Sequence, residues 1–491
     1  MKISRHRRLR RLGASATALS ALLITAPANA AVGDPGFFIP AQGWTASTSE
    51  KLSDGVIYTR YTEKTPQAGR KDPRVLDVVQ INPAMGGMTL RSTVGTAAIL
   101  AETTSYQLGK ITPEHPIAGI NGGYFSPEPA HPNIGLDTIA FNGSAVEKGK
   151  LFGATCHNGG QGNMAVVLQH GVPYITRIKT NLSVSVGSVE PADPASELSA
   201  RIDDINRNPG RAPGCARDAD DKAATMTEAA GAPQSVYTDA DEIVLFNDSY
   251  RAYTPRPGVD PGITTDDAPG VEVVVNPNGT VKSIRAGRGG VIPQAGETIL
   301  QGIGSGADWL TKNAGTAGTQ LHIEQTVTDM RTENLIPLDS SVDIVNGVHE
   351  LLHNGKYVVP APDGLHTRGP CGRLFDALGN LKTNHAPEAA ARDDFCRDAR
   401  TVIGIDTAGR TVLATITGSK AMDGAFPEEM AGYLRDMFSV TGALNLDGGG
   451  STTLLTGIVR RTLPGNENST VERPVSNAVY TSRSGYGIEA P

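Results

Sequence analysis

The 491-residue chain is 39% apolar and carries 57 Gly and 32 Pro, enough apolar side chains to bury a core and too many breakers for a long helical bundle. At roughly 100–200 residues per domain, it holds two or three domains or one large domain with insertions. Its net charge of −7 argues against a nucleic-acid partner, which needs a basic surface.

Residues 1–30 have the layout of an export signal. Lys2, Arg5, Arg7, Arg8, Arg10 and Arg11 form a basic start, Ala16 to Ala26 is apolar, and Ala28-Asn29-Ala30 is a small-residue cleavage site. The apolar run is shorter than the roughly 20 residues needed to span a bilayer, and no later stretch reaches that length, so a secreted protein without a transmembrane segment is expected. Removing this segment takes away six cations and no carboxylate, leaving a charge of −13.

The first part, residues 31–189, opens with short β-branched runs such as Val75 to Ile81, which read as strands. A helical stretch near Ser105 to Lys110 leads to the apolar strand Pro116 to Ile120. That strand runs straight into Asn121-Gly122-Gly123-Tyr124-Phe125. Residues 190–235 are rich in Pro, Asp, Ala and Arg and poor in large apolar residues, and a solvated insertion is expected there. A β-rich accessory section follows over 236–310, where Val271 to Val275 precedes the turn signal Asn276-Pro277-Asn278-Gly279.

The C-terminal part, 311–491, is the most legible. His322 to Val327 and Val342 to Val345 are candidate strands, and Thr401 to Ile405 and Val412 to Ile416 form a pair joined by Asp406-Thr407-Ala408-Gly409. Pro427 opens a helix with Met430, Leu434, Met437 and Phe438 on one face, and Gly442 is expected to end it. The buried strand Ala443 to Leu446 then delivers Asp447-Gly448-Gly449-Gly450-Ser451-Thr452. The expected class is α+β and β-rich: mixed sheets with a few packed helices and a strand-rich accessory region.

Three glycines at a strand end let backbone and ligand approach closely, and successive N–H groups can cradle an anion. Asp447, Ser451 and Thr452 give that cradle reactive neighbours. A plain tight turn is the competing reading, and the sequence lacks the Gly-Lys-Ser/Thr ending of a nucleotide loop. Asn121-Gly122-Gly123 repeats the design at a second strand end, with a hairpin as its alternative. Arg400 and Arg473 offer planar donor forks suited to phosphate, though surface ion pairs account for most arginines. His349, His353 and His366 lack the spacing of a metal motif. Cys156, Cys215, Cys371 and Cys396 match no zinc pattern and in an oxidising compartment allow three pairings. Cys371 with Cys396, and by exclusion Cys156 with Cys215, is the expected set.

Taken together, Ala118 to Phe125, Arg400 to Ile405, Pro427 to Ala431, Ala443 to Thr453 and Glu472 to Ala478 resemble the phosphodiester glycosidase family, over about residues 55–483. Members remove a sugar such as N-acetylglucosamine from a phosphodiester. Two features depart from the family: Thr417-Gly418-Ser419-Lys420 stands where Asp-Gly-Arg is usual, and the 190–235 segment has no counterpart.

The resemblance implies a hydrolase that cleaves a sugar-1-phosphodiester at the anomeric carbon. Arg400, Arg473 and the amides of Gly448, Gly449 and Gly450 would bind phosphate, with Ser451 and Thr452 beside them. Asp447 would act as base or nucleophile, while Asn121 and Asn445, with Gly122 and Gly123, orient the sugar. Glu429 is the second catalytic carboxylate, unless it is only a favourable charge at a helix start. No cofactor is expected, and a structural divalent ion such as Ca2+ is left open. The substrate would be a phosphorylated glycoconjugate or a cell-wall polysaccharide. The competing functions are a non-catalytic extracellular polysaccharide-binding protein and a metal-dependent phosphodiesterase, and the dense Asp/His clusters of the latter are missing from the sequence.

Overall fold

The computed structural model describes residues 43–65, 73–85, 87–112, 115–128, 138–157, 163–187, 197–224, 236–257, 269–347, 349–358, 399–417, 424–425, 427–462 and 471–483. Cys371, Cys396, His366, Lys420 and the rest of the 190–235 segment lie outside them. The fold is strand-rich, as the composition requires, and is built from stacked sheets.

The first sheet is antiparallel throughout and runs in the order Trp44–Ser53, Val56–Glu63, Val75–Ile81, Thr411–Thr417, Arg400–Asp406, Val440–Asn445, His349–His353, Lys356–Tyr357. Alternation assigns its faces. Leu76, Val78, Val402, Val412, Ala414, Ile416 and Ala443 point to one side, where the helix Pro427–Phe438 covers them with Met430, Leu434, Met437 and Phe438. That is the apolar stripe expected from the sequence. Val79, Ile81, Ile403, Leu413, Leu444 and Leu446 point to the other side.

The second side packs on two further sheets. One is five-stranded, in the order Val459–Arg460, Leu454–Thr456, Ala118–Asn121, Ala478–Arg483, Met88–Thr93. The other contains Val342–Gly347, Met164–Gln169, Val172–Val186 and Leu321–Asp329 as consecutive neighbours. Its strand Met-Ala-Val-Val-Leu-Gln shows why the apolar run is continuous: Val166 and Leu168 face the first sheet, while Ala165 and Val167 face a separate core. That core is closed by a sheet built on Ile243–Asn247, Thr298–Gly302 and Val271–Val275. Asn276-Pro277-Asn278-Gly279 makes the expected hairpin turn, with Gly279 N–H donating to Asn276 O at 2.9 Å and Gly279 at φ +82°.

Two expectations change. The helix ends at Phe438, with Ser439 at φ +51° rather than Gly442 reversing the chain; Gly442 already lies in the strand Val440–Asn445. The described part of the 190–235 segment, 197–224, is not solvated. Ile202, Ile205, Ala212 and Cys215 are buried there, and so are Arg207, Arg211 and Arg217. Charge pairing replaces apolar bulk: Arg207 and Arg217 both bind Asp204, and Arg207 also grips Glu242. A disulfide joins Cys156 to Cys215, as expected. The two glycine turns lie on facing sheets.

Candidate active site

The two turns meet because the chain crosses between sheets at the glycine loop. Val440–Asn445 belongs to the first sheet, and Leu454–Thr456, just past the loop, pairs with Ala118–Asn121 in the five-stranded sheet. Asn121 is fully buried at the junction. Its Nδ2 donates to Asp447 O at 2.7 Å, and its Oδ1 accepts from Thr401 Oγ1 at 2.7 Å and Thr453 N–H at 3.0 Å. Asp447 N–H returns a bond to Gly122 O at 3.0 Å. Asn121 therefore does not orient a sugar hydroxyl, since the chain itself uses both ends of its amide.

Gly122 and Gly123 are glycines because of what packs on them. A Cβ at Gly122 would run into Asn477 Oδ1, and one at Gly123 into Asn346 Oδ1. Asn477 Oδ1 accepts from Gly123 N–H at 2.8 Å, and Asn346 Nδ2 donates to Tyr124 O at 3.2 Å. The phenol of Tyr124 then reaches Asn445, accepting from its Nδ2 at 2.9 Å.

Asn445 is directly opposite Val402 on one side and His349 on the other, so its side chain lies on the helix-covered face. Alternation puts Arg400 on that same face, and the strand ends at Asn445, so Asp447 lies in the bend that leaves the sheet at the same end. Arg400 and Asp447 are half-buried. The loop is held against the start of the arginine's strand: Gly449 N–H donates to Ala399 O at 2.8 Å, and a Cβ on Gly448 would fall 4.0 Å from the Cα of Arg400. Arg400 Nε donates to Ala425 O at 3.0 Å. The N–H of Gly449 is thus committed to Ala399, while those of Gly448 and Gly450 meet no backbone acceptor among the described residues. Ser451 and Thr452 are buried beneath the loop. Asn445 Oδ1 is buried without a hydrogen-bond partner among the described residues.

Glu429 belongs to a cluster around Arg74, whose Nη1 also reaches Gly424 O at 3.4 Å, one residue from the Ala425 carbonyl that Arg400 binds. Glu429 Oε2 receives Arg74 Nη1 at 3.2 Å, and Arg74 also binds Glu63 at 2.8 Å and Tyr433 Oη at 2.7 Å, its guanidinium lying 5.6 Å and 5.5 Å from the ring centroids of Trp44 and Tyr433. Burial opposes the Arg74 charge, but these partners hold its pKa above the ordinary value. Such a cluster ties the helix start to the sheet, which favours the structural reading of Glu429. Arg473 is exposed. Its neighbour Glu472 accepts from Ser105 N–H at 2.8 Å and Ser105 Oγ at 2.6 Å.

Asn346, Thr401 and Asn477 escaped the sequence reading as site-building residues. Asn477 sits in the Glu472 to Ala478 motif, but nothing local marks Asn346, which acts on a turn 222 positions away. His353 Nδ1 lies 3.0 Å from Glu350 Oε1, an ordinary pair on one strand. Asp221, Asp239 and Glu242 offer carboxylate oxygens within 4.8 Å of one another, but Glu242 is already gripped by Arg207 and the group belongs to the buried ion network of the 197–224 segment.

This geometry sits inside a recognisable sequence pattern. Residues 269–481 match the phosphodiester glycosidase family, NAGPA. The match covers Arg400, the Asp447 loop and the Glu472 to Ala478 segment. The Asn121 corner lies upstream of it. No curated protein matches the chain.

Among solved structures, an exported-type protein of Burkholderia pseudomallei is 18% identical, covering 90% of this chain and 98% of its own, with a TM-score of 0.66. A hypothetical protein from Synechocystis is 18% identical, with 88% and 63% covered and a TM-score of 0.54. These likenesses extend the shared fold across the upstream half. The zebrafish N-acetylglucosamine-1-phosphodiester alpha-N-acetylglucosaminidase catalytic domain is 14% identical, with 89% and 86% covered and a TM-score of 0.36.

Proposed function

We propose that this phosphodiester glycosidase homologue is an exported enzyme that hydrolyses the bond between a sugar's anomeric carbon and a phosphodiester oxygen, releasing free sugar and a phosphomonoester. The observation that carries the reading is that Arg400 and Asn445 share one face of the sheet at the end where the Asp447 loop leaves it, inside the family-matched region. The departing phosphomonoester anion is a weak base and leaves readily, so the site needs charge placement more than the paired carboxylates of ordinary glycosidases.

Arg400 and the N–H groups of Gly448 and Gly450 would hold the phosphate, a charge-assisted arrangement. Asp447, half-buried beside them, would steady the cationic sugar and either attack the anomeric carbon or take the proton from water. Asn445 would contact the sugar. Glu429 is left to structure. An α-linked N-acetylglucosaminyl phosphodiester on a glycoconjugate or cell-wall polymer is the substrate class this reading favours.

Incubation with such a diester should give reducing sugar and phosphomonoester in equal amounts. Tight binding without release would instead make the chain a polysaccharide-binding protein.

A further inference from the structure

Tyr124 reaches the site with its phenol, but its backbone is held from behind. Asn142 N–H donates to Tyr124 O at 3.1 Å, and Asn346 Nδ2 bonds both Tyr124 O at 3.2 Å and Asn142 O at 3.0 Å. Ser126 Oγ donates to Asn142 Oδ1 at 2.7 Å. Asn142 is itself nearly buried, 8% exposed, so the Asn-Gly-Ser sequon that it begins is a packing element.

What packs on Asn142 is the 197–224 segment. Gly214, at φ +81°, lies so close that a Cβ there would be 2.6 Å from Asn142 Cγ. One turn later Arg217 Nη2 donates to Phe141 O at 3.2 Å, its Nη1 to Cys215 O at 2.8 Å and its Nε to Asp204 Oδ2 at 2.6 Å. Cys215 is bonded to Cys156, and His157 N–H donates to Ala216 O at 2.8 Å. The loop is therefore fixed at three points around the residue it presses.

We propose that Asn142 is a positioning residue for the sugar subsite: the loop tethered by Cys156–Cys215 presses on Asn142, which holds Tyr124 and, through its phenol, the amide of Asn445. The proposal rests on the assignment of Asn445 to the sugar. It gives the 197–224 segment a task at the site, and makes substrate affinity depend on a disulfide remote from the chemistry.

The test uses the full chain, with Gly214→Ala, Ser126→Ala and the double variant Cys156→Ser/Cys215→Ser, plus wild-type protein treated with dithiothreitol. KM and kcat for a sugar-1-phosphodiester and hydrogen exchange of residues 118–126 are measured together. Lost ground-state positioning raises KM with kcat little changed; the expected result is a KM rise of about tenfold and faster exchange at Gly122 and Gly123 in every folded sample. A KM within about twofold of wild type in a folded variant overturns the proposal, whatever the exchange shows. Should the untreated protein release no sugar, the functional reading fails first, and unchanged exchange on reduction then removes the brace as well.

Discussion

Asn121 Nδ2 donates to the backbone oxygen of Asp447 at 2.7 Å, across 326 positions of sequence. This bond joins the two glycine corners, so the position of Asp447, the carboxylate proposed to react, is set by a residue whose amide is used within the chain.

Replacing Asn121 by Ala leaves Asp447 O, Thr401 Oγ1 and Thr453 N–H buried without that partner. At about 1–3 kcal/mol for each unsatisfied group, the variant should lose about 3 kcal/mol or more in urea unfolding, and turnover should fall with it. Wild-type stability would show that the corners are joined by other contacts.

Asp447→Asn keeps the shape of the loop and removes the charge. Turnover should drop on the order of 10²-fold or more with the melting temperature nearly unchanged, as a steady-state assay beside calorimetry would record. Near-normal turnover would take Asp447 out of the mechanism.

Arg400→Ala removes a charged donor from the phosphate position. Bonds to charged groups are worth about 1.5–3 kcal/mol, so affinity for the diester and for product phosphomonoester should each weaken by about 10- to 100-fold. Titration calorimetry with the phosphomonoester checks this without turnover.

Glu429→Gln separates the two readings of that carboxylate. If its job is to hold Arg74, the variant should unfold more easily, by about 1 kcal/mol, while kcat stays within about twofold of wild type. A loss of kcat with unchanged stability would restore Glu429 as a catalytic group.

The ion network predicts a pH dependence. Burial, reinforced by the charge of Glu242, pushes the Asp203 carboxyl well up, and burial raises Glu242 although Arg207 opposes it. A raised carboxyl is neutral in the fold at pH values where the unfolded chain is already charged. Its stabilisation is full below the ordinary carboxylate value of about 4 and is lost as pH rises through the folded value. The melting temperature should therefore decline as pH rises above that ordinary value. Asp203→Asn, which keeps an acceptor for Ile243 N–H, should flatten that decline; an unchanged slope would show that Asp203 is not its source.

Much of this architecture was legible in local pattern. The stripe of Met430, Leu434, Met437 and Phe438 announced a helix on a sheet, and Val271 to Val275 before Asn-Pro-Asn-Gly announced a hairpin, because period and turn chemistry act over a few residues. The buried 197–224 segment was not legible: its core is Arg207, Arg217, Asp204 and Glu242, and charged residues look solvated until their partners are known. The site was legible as residue types but not as roles. Asn121 reads the same whether its amide meets a sugar or the carbonyl of Asp447, and Asn346 has no local signature because its two acceptors are brought to it only by the fold.

The central claim is that water attacks carbon and leaves the phosphate intact. Turnover of a sugar-1-phosphodiester in oxygen-18 water, followed by mass spectrometry of both products, tests it directly. The account predicts the heavy oxygen at the sugar's anomeric position and none in the phosphomonoester. Label in the phosphate would mean cleavage at phosphorus and would contradict it.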